Sequence, residues 1–274
     1  MNATAALSWF ARHEIRLAWR EWLAMMTGSR GKRKRAVVGL ILFAAVMHLP
    51  AWAVIGRFAD LQPPLDKPTL IVITASIFLA WALMLSQAIE SVTRVFYARA
   101  DLDLIMSSPA PLANVFSVRI AAIALSVTGM ALLLSTPFVD VLVIGGGARW
   151  LSAFGVVVAI GLSASAVAIA ITVVLFRLIG PSRTRLAAQV LAAVIGAGFV
   201  IALQVAAILS YGTLSRFTVL TSDAAAAYAP GPDSPLWWPA RAATGDGEVL
   251  ALLLLSLIHI FIGSAPISRR SSAA

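Results

Sequence analysis

Apolar residues in this chain come in long unbroken runs rather than with the alternation of a half-buried strand. The runs at 36–56, 70–89, 115–137, 151–176 and 186–210 hold almost no charge, and a sixth begins at 249 and reaches only to about 262. Each of the first five meets the roughly 20 apolar residues that a helix needs to cross about 30 Å of hydrocarbon. The pattern predicts an all-α, polytopic helical membrane protein with five full transmembrane helices and a truncated sixth. "GLSASAVAIA" and "AAVIGAGFVIA" in the fourth and fifth runs are rich in small residues, which let helices approach closely in lipid.

Composition points the same way. The chain is 60% hydrophobic and 12% charged, where a soluble domain is about 45–50% apolar and about 25% charged. A net charge of +9 would suggest nucleic acid in a soluble protein. Here it is expected instead from Lys and Arg gathered on the cytoplasmic side, and no nucleic-acid partner is expected. Arg12, Arg16, Arg20, Arg30, Lys32, Arg33, Lys34 and Arg35 precede the first run. Arg94, Arg99 and Arg119 lie around the second connection, and Arg177, Arg183 and Arg185 around the fourth, fourteen in all. The other side has five: Arg57, Lys67, Arg149, Arg216 and Arg241. The amino terminus is therefore expected in the cytoplasm.

Residues 1–35 read as a cytoplasmic interfacial segment. On a helix Leu7, Ala11, Ile15, Ala18, Trp22 and Met25 share one face, while Arg12, Arg16 and Arg20 form a row at i, i+4 spacing. An apolar stripe, a basic row and tryptophans suit a helix lying among membrane lipids, and "GSRGKRKR" then holds the chain at anionic headgroups. Residues 36–254 form the membrane domain. Residues 211–248 make the longest stretch outside the runs, with turn formers in "APGPDSPLWWP" and interfacial Trp237 and Trp238. The tail at 255–274 changes character abruptly. Leu255–Ile260 matches one frame of a common transposon-based sequencing adapter, so 255–274 is expected to be non-native.

Chemistry-bearing motifs are scarce. There is no cysteine, and the three histidines form no metal set. "ARHEIR" lacks the second histidine of a zincin, and no Walker A loop, dinucleotide fingerprint or nucleophile elbow is present. "VIGGGARW" reads as a plain turn. Within or beside the runs the polar residues are His48, Gln87, Glu90, Asp140, Arg177 and Gln204. Glu90, Asp140 and Arg177 fall at expected span ends, where they can reach water. Gln87 and Gln204 suit hydrogen bonds across helices, with contact to a transported molecule as the alternative. No carboxylate is expected near mid-membrane.

The polar island is "RVFYARADLDLIMSSPAPLANVF" at 94–116, which carries Arg94, Arg99, Asp101 and Asp103. A helix over 94–108 would gather Val95, Ala98, Leu102, Ile105 and Met106 on one face and Tyr97, Asp101 and Leu104 on the other. Pro109 and Pro111 end it. Apolar residues on both faces offer one contact to the bundle and a second to a cytoplasmic partner.

This stretch resembles the coupling segment of permease subunits of ABC-2 type transporters. Arg99 matches the family's charged turn, Asp101-Leu102-Asp103-Leu104 its acidic-leucine run, Ser108-Pro109 its break, and Arg119 its re-entry into the next span. "WFARHEIRLAWREWLAMMTGSRGKRKR" is similar to the start of a bacterial subgroup of such permeases. The resemblance covers about 5–254. It implies a multi-pass protein of the bacterial cytoplasmic membrane, with 94–108 as a coupling helix. It also implies a separate ATPase subunit carrying ATP and Mg, a second permease unit as a homodimer or missing half, and export. ATPase activity would then reside on the partner, and the chain itself would be no enzyme. The competing reading is a non-transporting assembly or sensor protein that uses the same helix for another partner.

The charge count makes a direct prediction for reporter fusions. A phosphatase that is active only outside the cytoplasm should be active when fused within 57–66 and silent when fused within 178–185. The reverse pattern would overturn the orientation.

Overall fold

The structure, a computed structural model, describes residues 33–97, 112–211 and 223–257, together with Arg12, Arg16 and Arg20 as exposed helical positions. The described residues are helical, with no strand among them. The helices are α1 (Arg33–Ile55), α2 (Lys67–Tyr97), α3 (Leu112–Gly146), α4 (Ser152–Tyr211), α5 (Asp223–Tyr228), α6 (Trp238–Ala243) and α7 (Gly247–Leu257). Three short 3-10 turns, Gly56–Phe58, Ala148–Leu151 and Pro235–Trp237, join them.

Five segments are long and apolar enough to cross a membrane: Val37–Ile55, Lys67–Arg94, Val118–Gly146, Ala148–Gly180 and Ser182–Ala202. This is compatible with a multi-pass membrane protein. The expected sixth run corresponds to α7, which is short and apolar and continues through residue 254 to a buried Leu257. Residues 258–274 lie outside the described residues.

Two expected boundaries move. The third span does not stop at Pro137, because the apolar run "FVDVLVIGG" carries α3 on to Gly146. A proline fixes φ at a helical value and forfeits one backbone hydrogen bond. In the turn before it, the Ser135 and Thr136 hydroxyls donate to the Leu132 carbonyl at 3.1 and 2.8 Å. The fourth and fifth spans are separated by a single non-helical residue, Gly180, at φ 73° and ψ 167°. That positive φ costs glycine little and strains other residues. The Thr184 hydroxyl donates to the Gly180 carbonyl at 2.8 Å and steadies the next turn. The two arms, 152–179 and 181–211, fold back so that Ala164 and Ala168 of one share a buried cluster with Ala188 and Ala192 of the other.

The main cluster lies where α2 meets both arms of α4, with α3 against the first arm. It contains Met84, Leu85, Ala88, Ile89 and Val92 of α2 and Ile123 and Val127 of α3. Small residues set the spacing. A Cβ on Gly161 would lie 2.5 Å from Thr128 Oγ1 and 3.2 Å from the Thr128 Cα, so α3 and α4 touch nearly backbone to backbone. Ser86 Oγ donates across to the Ala192 carbonyl at 2.7 Å, and Trp81 Nε1 to Ser163 Oγ at 3.0 Å. Buried Thr93, Ser165 and Thr172 donate to carbonyls four residues back, which satisfies them without water. By contrast α1 is peripheral: it packs on α3 and on its own following turn, and most of its surface is exposed and apolar.

Helix directions alternate, giving two ends. The proximal end holds the start of α1, the end of α2, the start of α3 and the Gly180 hairpin. The distal end holds the turns after α1 and α3 and the 223–246 segment.

Gly161→Val should destabilise the bundle by about 1–3 kcal/mol, the usual cost of forcing extra methyl groups into a closed contact. Gly198→Val, on the same helix with nothing within 4 Å of its Cβ position, should cost well under that. Unfolding in lipid nanodiscs by steric trapping reads the difference; equal effects would show that the α3–α4 approach is not tight.

Candidate functional site

Ionisable residues inside apolar helices are the first place to look for function, because isolating a charge in hydrocarbon is costly. The described helices bring two together. His48 on α1 and Asp140 on α3 meet with Nε2 3.4 Å from Oδ2, while His48 Nδ1 lies 2.8 Å from the Ala44 carbonyl oxygen. Asp140, expected at a span end, lies inside the span Val118–Gly146 because α3 continues past Pro137. His48 precedes the end of α1 by seven residues and Asp140 the end of α3 by six, so both sit about 10 Å in from the helix ends at 1.5 Å per residue. The large apolar side chains exposed between the pair and those ends are Leu49, Trp52 and Val54 on α1 and Ile144 on α3. Each partner has a proline nearby, Pro50 in α1 and Pro137 in α3.

The distal end carries a second polar construction. Arg149 donates to Gln62 Oε1 at 2.9 Å, to the Ala59 carbonyl at 3.1 Å and to the Leu61 carbonyl, with its guanidinium 5.5 Å from the Trp150 ring centroid. Trp150 Nε1 donates to the same Ala59 carbonyl at 3.1 Å. The glycine run of "VIGGGARW" is what admits this contact, since a Cβ on Gly146 would collide with the Ala59 carbonyl oxygen and Trp150 Nε1. Ser152 Oγ reaches the Arg149 and Ala243 carbonyls, and Arg241 pairs with Asp246 at 2.7 Å, fixing the turn before α7. With three of its bonds going to neutral oxygens of one loop, Arg149 is a structural clamp that closes the turn after α1 over the α3–α4 turn.

The residues expected to couple to a partner, Arg99, Asp101, Leu102, Asp103, Leu104, Ser108 and Pro109, lie outside the described residues, as does Trp22. The structure shows what flanks them. α2 runs on to Tyr97 and α3 starts at Leu112, so both flanks of the connection are helical. Near the end of α2 Arg94 and Glu90 form an exposed ion pair at 2.9 Å. Arg12, Arg16 and Arg20 are exposed at helical positions, consistent in spacing with one row. Gln87 is half-buried on α2 and Gln204 is exposed on the second arm of α4. Arg177, Arg183 and Arg185 are exposed around the Gly180 hairpin.

Among the described residues no group of three or more His, Cys, Asp or Glu side chains is placed to hold a metal ion. No protein-family model, no curated protein and no solved structure matches the chain. The pairing of His48 with Asp140 had a signal in the sequence that spacing alone could have raised. Each is a lone ionisable residue in an apolar run, and each lies within three residues of a proline.

A double-mutant cycle on His48→Ala and Asp140→Ala should give a coupling of about 0.6–1.7 kcal/mol, the range for side-chain hydrogen bonds between membrane helices. A coupling indistinguishable from zero in nanodisc unfolding would mean that the two side chains do not interact.

Proposed function

We propose that the chain is a membrane-embedded permease unit of an ATP-driven transporter of the ABC-2 kind, set in a bacterial cytoplasmic membrane with its amino terminus in the cytoplasm. In this reading the coupling segment at 94–108 receives movement from a separate nucleotide-binding subunit that holds ATP and Mg. A second permease unit completes the pathway, and the direction is export.

The observation that carries the proposal is the reach of α2. Its apolar run ends near residue 89, yet the helix continues to Tyr97, eight residues or about 12 Å further at 1.5 Å per residue. The buried part of that same helix is the core of the bundle, through Ala88, Ile89 and Val92. A push on the connection would therefore act on a rigid rod rooted among α3 and both arms of α4. The likeness of "RADLDLIMSSP" to the family's coupling segment supplies the partner's identity. For the bundle to switch, the ATPase must contact this segment differently in its two nucleotide states.

Leu102→Asp and Leu104→Asp test the proposal. With the natural ATPase partner co-expressed, each should lower ATP-driven transport and partner co-purification at least tenfold while leaving the amount of inserted protein unchanged. Undiminished transport in both variants sinks the coupling assignment. Stable capture of a partner without a Walker A loop turns the reading toward an assembly or sensor protein.

A further inference from the structure

We propose that the Gly180 hairpin binds the headgroups of anionic phospholipids through Arg177, Arg183 and Arg185, whether or not the chain works with an ATPase. The arginines of this molecule fall into two groups by what they are attached to. Arg149 donates to Gln62 and to the Ala59 and Leu61 carbonyls, Arg241 pairs with Asp246, Arg94 pairs with Glu90, and Arg119 is likewise engaged. Arg177, Arg183 and Arg185 are exposed and make no hydrogen bond or ion pair among the described residues. Their own helix offers none, since α4 runs from Ser152 to Tyr211 without an Asp or Glu. Among the described residues the acid at this end of the bundle is Glu90, already paired with Arg94. Three like charges this close raise the positive potential at the hairpin, and an anion from outside lowers it.

Helix length sets the depth of these charges. Arg177 comes 25 residues after Ser152, where the first arm begins, about 37 Å at 1.5 Å per residue. Arg185 comes 26 residues before Tyr211, where the second arm ends, about 39 Å. Both lengths exceed the roughly 30 Å of hydrocarbon and fall short of the about 40–45 Å that includes the headgroups. With both arms across a bilayer, the three guanidinium groups reach the phosphate layer of the proximal face. The one-residue break at Gly180 keeps Arg177 on one arm and Arg183 on the other, each three residues from the turn, so both arms supply charge to a single layer.

The surface between the arginines decides what kind of anion fits. Leu178 is 76% exposed and Leu186 68%, with Ile179 and Val174 exposed beside them. A free phosphate would meet the charge and leave these side chains without a partner. A phospholipid meets both. Its phosphate oxygens accept paired N–H bonds from arginine, and its acyl chains lie along the leucines and the arginine stems. The exposed Ser182 adds a hydroxyl donor in the same turn.

The test is made on the full chain in lipid nanodiscs. The chain has no cysteine, so a fluorophore at Val174→Cys reports the lipids beside the hairpin and one at Val54→Cys those at the distal end; both positions are exposed. Discs of phosphatidylcholine carry a minor fraction of acyl-brominated lipid, either phosphatidylglycerol or phosphatidylcholine. At Val174→Cys the brominated phosphatidylglycerol should quench more strongly, and at Val54→Cys the two should quench alike. The preference should fall about fivefold for each arginine changed to Gln, the effect of one cation near an anionic surface. It should vanish with Arg177→Gln, Arg183→Gln and Arg185→Gln together and persist with Arg177→Lys, Arg183→Lys and Arg185→Lys together. Unchanged quenching at Val54→Cys shows that the bundle of each variant is intact. Three results overturn the proposal. The first is equal quenching at Val174→Cys by the two lipids, which with capture of an acidic protein through these arginines would assign the surface to a protein. The second is a preference that survives the triple Gln variant. The third is a preference abolished by soluble glycerophosphate but not by sodium chloride of the same ionic strength, which would assign the arginines to a free phosphate.

Discussion

The close approach of α2, α3 and α4 is the constraint on which the other features rest. Lipid tails are as apolar as leucine, so helices in a bilayer gain nothing from hiding apolar surface and associate through packing and interhelical hydrogen bonds. Here the packing is made by absences of side chain. Gly161 leaves room for Thr128, Ala88 and Ala168 are fully buried, and Gly196 admits the Ser86 hydroxyl that donates to Ala192. Bulk is placed outside: Leu186, Val190 and Val194 face away from the contacts and are exposed. On this arm Ala188 and Ala192 point in, against Met84, Leu85, Ile89 and Val92 of α2 and Ile123 and Val127 of α3.

Once that core is set, the polar groups divide by what they can reach. The Thr93, Ser165 and Thr172 hydroxyls return to their own helix, and Ser86 reaches across to Ala192. Arg149 lies past the end of α3 and has a loop of carbonyls to bind. His48 and Asp140 have neither option beyond Ala44, and they meet because α1 and α3 run side by side and end at similar depth. The prolines two and three residues away thin the backbone hydrogen bonding in the same turns. His48 lies on the least embedded helix and Asp140 on one packed into the bundle.

Much of the architecture was legible in the sequence, because span length and apolar content report the solvent directly. The five runs all became helices, and the small-residue stretches fell in the arms of α4 that build the main cluster. What escaped depended on contacts between distant segments. The third run was bounded at 137, yet nothing local forbids the φ of Pro137 in a helix, and the apolar residues beyond it carry α3 on to Gly146. Asp140 was consequently placed at a boundary and its partner, 92 positions away, was not sought. "VIGGGARW" read as a turn and is one. That its arginine clamps Ala59, Leu61 and Gln62 follows from where the loop after α1 lands, which no local pattern encodes. The single-residue break at Gly180 was hidden for a similar reason, since the arginines flanking it suggested a longer polar connection.

The two proposals meet at the proximal end. In the permease reading, movement enters at the coupling segment at 94–108, where α2 ends. α2 is gripped on several sides by α3 and both arms of α4, so it passes displacement to the whole core. α3 differs, because its far half also carries α1.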